Sequence, residues 1–138
     1  MRRLLSIIVL TGCVASTLVA AAGGATAAAT AAQCRGTDRI IPKQIRFPRG
    51  RTTAVIKETI RLCTGHEYRL RARAGQMMTL NLATGKRTSF TLSAPSGDTV
   101  EGADGVNDWS GELPQTGDYI INIGTDATAS YTLEVTIR

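Results

Sequence analysis

The sequence of 138 residues predicts an all-β protein, an antiparallel β-sandwich of the jelly-roll kind, with about 7–9 short strands. Three observations predict this fold class. From residue 66 onward, apolar and polar side chains alternate with a period of two, which is typical of strands with one buried face. Turn-forming residues recur at intervals of about 8–12 residues. No window shows the i, i+3, i+4, i+7 spacing of an amphipathic helix.

Residues 1–32 have the layout of a secretory signal peptide. The chain starts with "MRR", continues with an apolar run, and ends this segment with small residues that include Ala-x-Ala cleavage sites. We therefore expect one exported domain over residues 33–138, with a periplasmic or extracellular location and no transmembrane segment. One alternative stays open, because "LTGC" resembles a lipobox in which Cys13 would be lipidated.

The first strands of the domain are the least regular in sequence. "KQIRF" before Pro48 predicts a short strand, and "TAVIKETIRL" predicts a second one. Glu58 falls among the apolar residues on one face of that second strand, which indicates a bulge or a sheet edge. The later strands alternate strictly, in the segments "EYRLRARA", "QMMTLNLA", "SFTLS", "YIINI" and "YTLEVTI", with a turn predicted at Thr64-Gly65.

Two cysteines remain after cleavage of the signal peptide. Cys34 and Cys63 form an even number in an oxidising compartment, which favours a disulfide bond. Closing a loop of about 30 residues would stabilise the fold by roughly 3–4 kcal/mol. Two free thiols are the alternative, although neither cysteine lies in a C-x-x-C motif.

The stretch "DWSGELPQTGDY" contains the only tryptophan, followed by turn-forming residues. Trp109 is interpreted as a core or corner residue that closes one end of the sandwich, and a sugar-stacking platform is the alternative. Pro114 suits the end of a short edge segment, because proline cannot donate to a β-ladder. Gly117 can supply a positive φ at the start of the next strand.

Four segments carry a family resemblance: "YRLRARAGQMMTLNL", "FTLSAPSGDTV", "WSGELPQTGDYIINIG" and "ASYTLEVTI". Together they resemble the bacterial pre-peptidase C-terminal domain family, and they are especially similar to the small exported proteins grouped with the g-type lysozyme inhibitors. The resemblance covers roughly residues 45–137. It implies a β-sandwich that binds other molecules without chemistry of its own, and a secreted lysozyme or another protein as the partner.

The charge is distributed unevenly along the chain. Residues 35–87 hold 13 basic and 3 acidic residues, whereas residues 88–138 hold 1 basic and 8 acidic residues. A bipolar surface can attract polyanions and steer partners. Alternatively, the two halves interleave in the folded protein and neutralise each other.

Basic residues supply the candidate binding sites. Arg69, Arg71 and Arg73 recur on one strand face every ~6.7 Å, so they could bind an anionic envelope polymer or a glycan. The alternative is that they pair with neighbouring acids such as Glu134. An inhibitor would place a cation against a catalytic carboxylate. Because "GTDATAS" before the last strand contains no arginine, the turns with Arg49 and Arg51 or with Lys86 and Arg87 are the candidates for that role.

Nothing in the sequence marks an enzyme, a cofactor or a metal centre. His66 is the only histidine and is expected at the surface, and the zinc ligands are lacking once the cysteines pair. The acids of residues 101–108 do not have the spacing of a calcium loop, so a solvated, mobile loop is expected, with a loose calcium site as the alternative. Nucleic acid is not an expected partner, since no aromatic residues interleave with the arginines.

Overall fold

The computed structural model describes residues 39–85 and 87–138, so the predicted signal peptide, Cys13, Cys34 and Lys86 lie outside the described residues. This part of the chain forms eight strands and no helix, which confirms the predicted all-β fold. The strands are β1 (Arg39–Gln44), β2 (Thr53–Ile60), β3 (Thr64–Ala72), β4 (Met77–Thr84), β5 (Thr88–Ser93), β6 (Asp108–Glu112), β7 (Gly117–Thr125) and β8 (Ala129–Ile137). No helix in the described residues is long and apolar enough to cross a membrane.

The strands form two four-stranded sheets. Sheet I has the order β1-β3-β7-β5, and sheet II has the order β2-β8-β4-β6. Successive strands therefore alternate between the sheets along the whole chain. All pairs are antiparallel except β1 with β3, which are parallel. The jelly-roll-like sandwich is thus antiparallel throughout, apart from its first strand.

The hydrophobic core lies between the two sheets, and the alternation seen in the sequence builds it. In β8 every second residue is buried, and Leu133 and Val135 are completely so. Tyr119 and Ile121 of β7 face them from sheet I and are equally buried. Removing these side chains from water is the main favourable term in folding such a sandwich.

The two irregular strands lie at adjacent edges of the sheets. β1 begins at Arg39, earlier than "KQIRF" predicted, and β2 pairs regularly with β8 without a bulge. Glu58 therefore points inward from an edge strand, where it accepts a hydrogen bond of 2.7 Å from Lys43 Nζ of the other sheet. The edge interpretation of Glu58 is confirmed and the bulge interpretation is wrong.

The long acidic connection between β5 and β6 is ordered by the edge of β5. Phe90 and Val106 exchange backbone hydrogen bonds of 2.8 and 3.0 Å, and Leu92 N donates to Ala103 O at 2.9 Å. Ala103 is fully buried. The expected irregular backbone is confirmed, and these hydrogen bonds place the segment along a strand edge that would otherwise leave backbone groups unpaired. Its mobility stays a prediction.

The remaining connections gather at the two ends of the sandwich. The strand directions place residues 61–63, 85, 87 and 126–128 at one end, which we call the lower rim. Residues 45–52, 73–76, 94–99 and 113–116 lie at the other end, which we call the upper rim. The nine residues of β3 separate the rims, a span of about 30 Å at the usual strand rise.

Candidate functional site

The lower rim joins the Arg87 turn to the connection that precedes the last strand. Asp126 N donates to Arg87 O at 3.0 Å, and Thr125 Oγ1 lies 3.0 Å from Thr88 Oγ1. The segment "GTDATAS" has no arginine of its own, but the neighbouring turn supplies one at the same rim. Arg87 is exposed, and so is Asp126.

Two further arginines reach this rim, and the sequence did not point to either. Leu62 N, next to Arg61, donates to Thr128 Oγ1 at 3.1 Å, and Arg39 N donates to Cys63 O at 3.3 Å. Both arginines are exposed. Neither of the two ion pairs within residues 39–85 and 87–138 involves Arg39, Arg61 or Arg87. Among the described residues of this rim, three arginines are exposed and Asp126 is the one acidic residue.

The turn that carries Arg61 is tight and strained. Thr64 N donates to Arg61 O at 3.1 Å, so the turn comes earlier than the predicted Thr64-Gly65, and Gly65 is buried in β3. Cys63 has a φ of 65°, the only positive φ of a non-glycine residue in the described chain. Such a conformation costs on the order of 1 kcal/mol or more and persists only when its surroundings enforce it.

A disulfide bond is part of these surroundings. Cys63 is disulfide-bonded. Its predicted partner, Cys34, lies outside the described residues, so the pairing of the two stays a prediction. The hydrogen bond from Arg39 is a second constraint on the same residue.

Arg49 and Arg51 lie at the upper rim, on the opposite end of the sandwich from Arg87. Arg51 N donates to Pro48 O at 2.9 Å, and Gly50 adopts the positive φ of 73° that this turn requires. The two turns that the sequence offered as alternatives are therefore separate surfaces.

Of the three arginines predicted on one strand face, one already has an acidic partner. Arg69 is bound to Glu67 on its own strand, with Nη2 and Nε at 2.7 and 2.8 Å from Oε1. Arg71 lies on the same exposed face, and Arg73 follows just beyond the strand. The expected pairing with Glu134 is wrong, because Glu134 belongs to β8 of sheet II.

The basic and acidic halves of the chain interleave in the folded protein, because β3 pairs with β7 and β4 lies between β8 and β6. Both ion pairs of the described residues, Lys43–Glu58 and Arg69–Glu67, lie within the basic half of the chain. In the described residues no ion pair joins that half to the acidic half. The expected interleaving is confirmed, and within residues 39–85 and 87–138 it brings no direct ion pair between the halves.

Trp109 lies on β6, the edge strand of sheet II, and covers the core at that edge. Its position opposite Leu80 turns it inward, and it packs half-buried against the core, as predicted for a corner residue. The indole Nε1 donates to Glu101 O at 3.0 Å. A side chain at Gly111 would lie 2.7 Å from the ring, so the indole rests on this glycine. The ring also lines a groove of about 420 Å³, where a sugar would have to bind under the stacking hypothesis.

His66 is buried, and the expectation of a surface position is wrong. It is 4 % exposed and in phase with the inward Tyr68, so the alternation of β3 turns it into the core. Its Nδ1 lies 2.6 Å from Tyr131 Oη, which lies 2.7 Å from Tyr68 Oη. Three polar side chains thus form one hydrogen-bonded chain between the sheets.

Their environment keeps the side chains of His66, Tyr68 and Tyr131 uncharged. Burial lowers the pKa of His66, and the charge of Lys43 lowers it further, while Glu58 acts in the opposite direction. Burial also raises the pKa of Tyr68 and of Tyr131. With a neutral imidazole and two protonated phenols, the buried polar atoms Nδ1 of His66 and Oη of both tyrosines are hydrogen-bonded to one another, which stabilises the core.

We expect the protein to lose stability when the pH falls below 6.5. His66 has a lowered pKa in the folded state, so the folding stability that its neutral form contributes is fully present above its unfolded pKa of 6.5. It decreases as the pH falls toward the folded pKa, because the unfolded chain binds the proton more readily. Urea unfolding at several pH values between 8 and 5 measures the free energy of unfolding. Its decrease between pH 6.5 and 5 should be smaller in His66→Gln than in the native protein. Equal slopes in both proteins would contradict the assignment to His66.

The acidic residues of the β5–β6 connection bind separate partners. Asp98 accepts a hydrogen bond from Ser96 Oγ at 2.9 Å, Asp104 accepts one from Thr91 Oγ1 at 2.9 Å, and Asp108 accepts one from Asn81. Among the described residues, no group of three or more His, Cys, Asp or Glu side chains is arranged to hold a metal ion.

Comparison with solved structures finds proteins of the same fold, and three of them are g-type lysozyme inhibitors. The chain superimposes on PliG of Aeromonas hydrophila, a periplasmic lysozyme inhibitor of g-type lysozyme, with a TM-score of 0.66 and 26% identity over 72% of this chain and 98% of that one. A mutant of Escherichia coli PliG gives a TM-score of 0.59 at 17% identity over 70% and 97% of the two chains. Salmonella Typhimurium PliG gives 0.57 at 19% identity over 74% and 100%. The last two similarities show the fold alone.

No family model matches the chain, and no curated protein matches it in sequence. The resemblance to the pre-peptidase C-terminal domain family therefore stays a prediction.

Proposed function

We propose that this chain is an exported, non-catalytic inhibitor of g-type lysozyme that acts in the periplasm. The observation that carries the proposal is the superposition on Aeromonas hydrophila PliG, which covers 98% of that inhibitor at 26% identity. The domain limits 33–138 and the Cys34–Cys63 pairing are part of the proposal.

The lower rim is the proposed contact surface. Enzymes that cleave glycosidic bonds generally use acidic side chains at the reacting bond, and a cation placed opposite such a group gives electrostatic complementarity. Arg39, Arg61 and Arg87 are exposed there and engaged in no ion pair of the described residues. Arginine suits this role because its guanidinium can bind a carboxylate through two hydrogen bonds.

The hydrogen bonds that cross the lower rim support the same assignment. Three short connections are tied together by the Asp126–Arg87, Leu62–Thr128 and Arg39–Cys63 hydrogen bonds. The disulfide bond at Cys63 adds a covalent constraint. A surface that is ordered before binding loses little conformational entropy in the complex, so more of its interaction energy appears as affinity.

We expect the purified exported protein to slow the lysis of a peptidoglycan suspension by g-type lysozyme at sub-micromolar concentration. The double substitution Arg61→Glu/Arg87→Glu should raise the concentration needed for half-inhibition at least tenfold, because two favourable charge contacts become repulsive. The matched control is Arg49→Glu/Arg51→Glu, which changes the net charge equally at the opposite end and should stay within about twofold of the native protein.

Two results would contradict different parts of this proposal. If the native protein fails to inhibit at large molar excess, the inhibitor function is wrong. If the native protein inhibits but only the upper-rim control loses inhibition, the function stands and the lower-rim assignment is wrong. Circular dichroism of both variants verifies that each retains the β-fold.

A further inference from the structure

We propose that the upper rim carries a second binding surface, which takes the closely spaced phosphate groups of an anionic linear polymer. The surface, which we call the arginine corner, extends from the upper end of sheet I onto the β1–β2 connection. It goes beyond the proposed lysozyme inhibition and does not depend on it. Its members are exposed arginines: Arg46, Arg49, Arg51, Arg71 and Arg73.

Strand pairing brings the first members together. Gln44 pairs with Arg69 in the parallel ladder, and Ile45 N donates to Arg69 O at 3.0 Å, so the ladder continues past the end of β1. Arg46 therefore runs beside Arg71, about 4.8 Å away across the strands. Ile45 is buried, and the next residue, Arg46, is exposed on the same outer face as Arg71. Two like charges thus lie side by side.

The β1–β2 connection adds two more cations to the corner. Arg49 and Arg51 flank Gly50 in the turn closed by the Arg51 N to Pro48 O hydrogen bond of 2.9 Å. The whole segment from residue 39 to residue 57 contains no acidic residue. Arg73 stands on the neighbouring connection, just beyond the end of β3.

The part of the chain that the structure describes provides no ion-pair partner for these arginines. Neither ion pair of the described residues includes a member of the corner. Asp118 is in register with Arg71 on β7, yet the two form no ion pair within 4.0 Å. Adjacent unpaired guanidinium groups repel each other, and an external anion relieves this repulsion. The planar guanidinium matches the geometry of phosphate oxygens.

The shape of the corner favours an extended ligand over the rim of an enzyme cleft. Its arginines are distributed over a sheet face and a connection, whereas the lower rim is compact and cross-tied. The rims are about 30 Å apart, so a polymer at one end leaves the other free. A protein held on such a polymer would keep its lower rim at a high local concentration near an attacking enzyme.

The test is to measure binding of the protein to long-chain inorganic polyphosphate by titration calorimetry at several salt concentrations. Native affinity should fall on the order of tenfold or more between low and physiological salt, because phosphate contacts release counterions. Arg49→Glu/Arg51→Glu should weaken binding at least tenfold. Arg61→Glu/Arg87→Glu carries the same net charge and should stay within about twofold of native.

The outcomes separate this proposal from its alternatives. Equal loss in both double variants would mean that only net charge matters, and it would overturn the arginine corner. Absence of native binding at low salt would also overturn it. Vesicles of phosphatidylglycerol form a second arm, with phosphatidylcholine as the blank, and binding to these vesicles but not to polyphosphate would assign the surface to a membrane and overturn the polymer. Because no lysozyme is present, failure here leaves the inhibitor function untouched.

Discussion

Removing the hydroxyl of Tyr131 should lower the free energy of unfolding by about 2–4 kcal/mol. In Tyr131→Phe, His66 Nδ1 and Tyr68 Oη lose their shared partner at 2.6 and 2.7 Å. Both groups belong to buried side chains, and water cannot easily replace the bond. Leaving a buried donor or acceptor unsatisfied costs about 1–3 kcal/mol each, more than the net value of the bond itself.

Urea unfolding of the native protein and of Tyr131→Phe measures this effect at neutral pH. Tyr68→Phe is the matched control, because it removes the same atom from the same kind of side chain but breaks only the Tyr68–Tyr131 bond. Its effect should be about half as large. The interpretation fails if Tyr131→Phe is within about 0.5 kcal/mol of the native protein, the range typical of neutral surface changes.

Removing the predicted disulfide bond should destabilise the protein by about 3–4 kcal/mol. The double variant Cys34→Ser/Cys63→Ser gives the unfolded chain back the entropy that closure of the loop removed. The left-handed turn at Cys63, with its φ of 65°, also loses a constraint that holds it. We therefore expect the lower rim to lose order first, and inhibition of lysozyme to weaken together with stability.

Thermal and urea unfolding of the native and double-serine proteins provide the measurement. Adding reductant to the native protein should reproduce the destabilisation and should leave the double-serine protein unchanged. The native protein should also resist alkylation by iodoacetamide until it is reduced. Modification of both Cys34 and Cys63 without reductant would show that the pairing is wrong.

Local patterns in the sequence were sufficient for most of the strands and for the facing of their side chains. Alternation with a period of two is a property of neighbouring residues, so Tyr68, Leu80 and Leu133 could be assigned to the core before any pairing was known. Trp109 was recognised as a corner residue for a similar reason, since turn-forming residues follow it directly. The same rule, applied consistently, would also have placed His66 inside.

The placement of the charged residues required the tertiary structure. Arg87 meets the Asp126 connection, Arg39 meets Cys63, and Arg69 takes Glu67 as its partner in place of Glu134. The first two contacts join segments distant in sequence, so no local pattern predicts them. Glu67 lies only two residues from Arg69 on the same strand, so the alternation of β3 could have predicted that pair.

The sequence was sufficient for the β-sandwich and for the basic first half of the chain, and it predicts export and a disulfide bond. The fold was needed to show that the exposed arginines of that half lie at two opposite ends of the sandwich. The physical reason is the order of the strands. Each connection carries the chain to the other sheet, so every strand pairs with strands distant in sequence, and such pairings depend on the whole core and not on neighbouring residues.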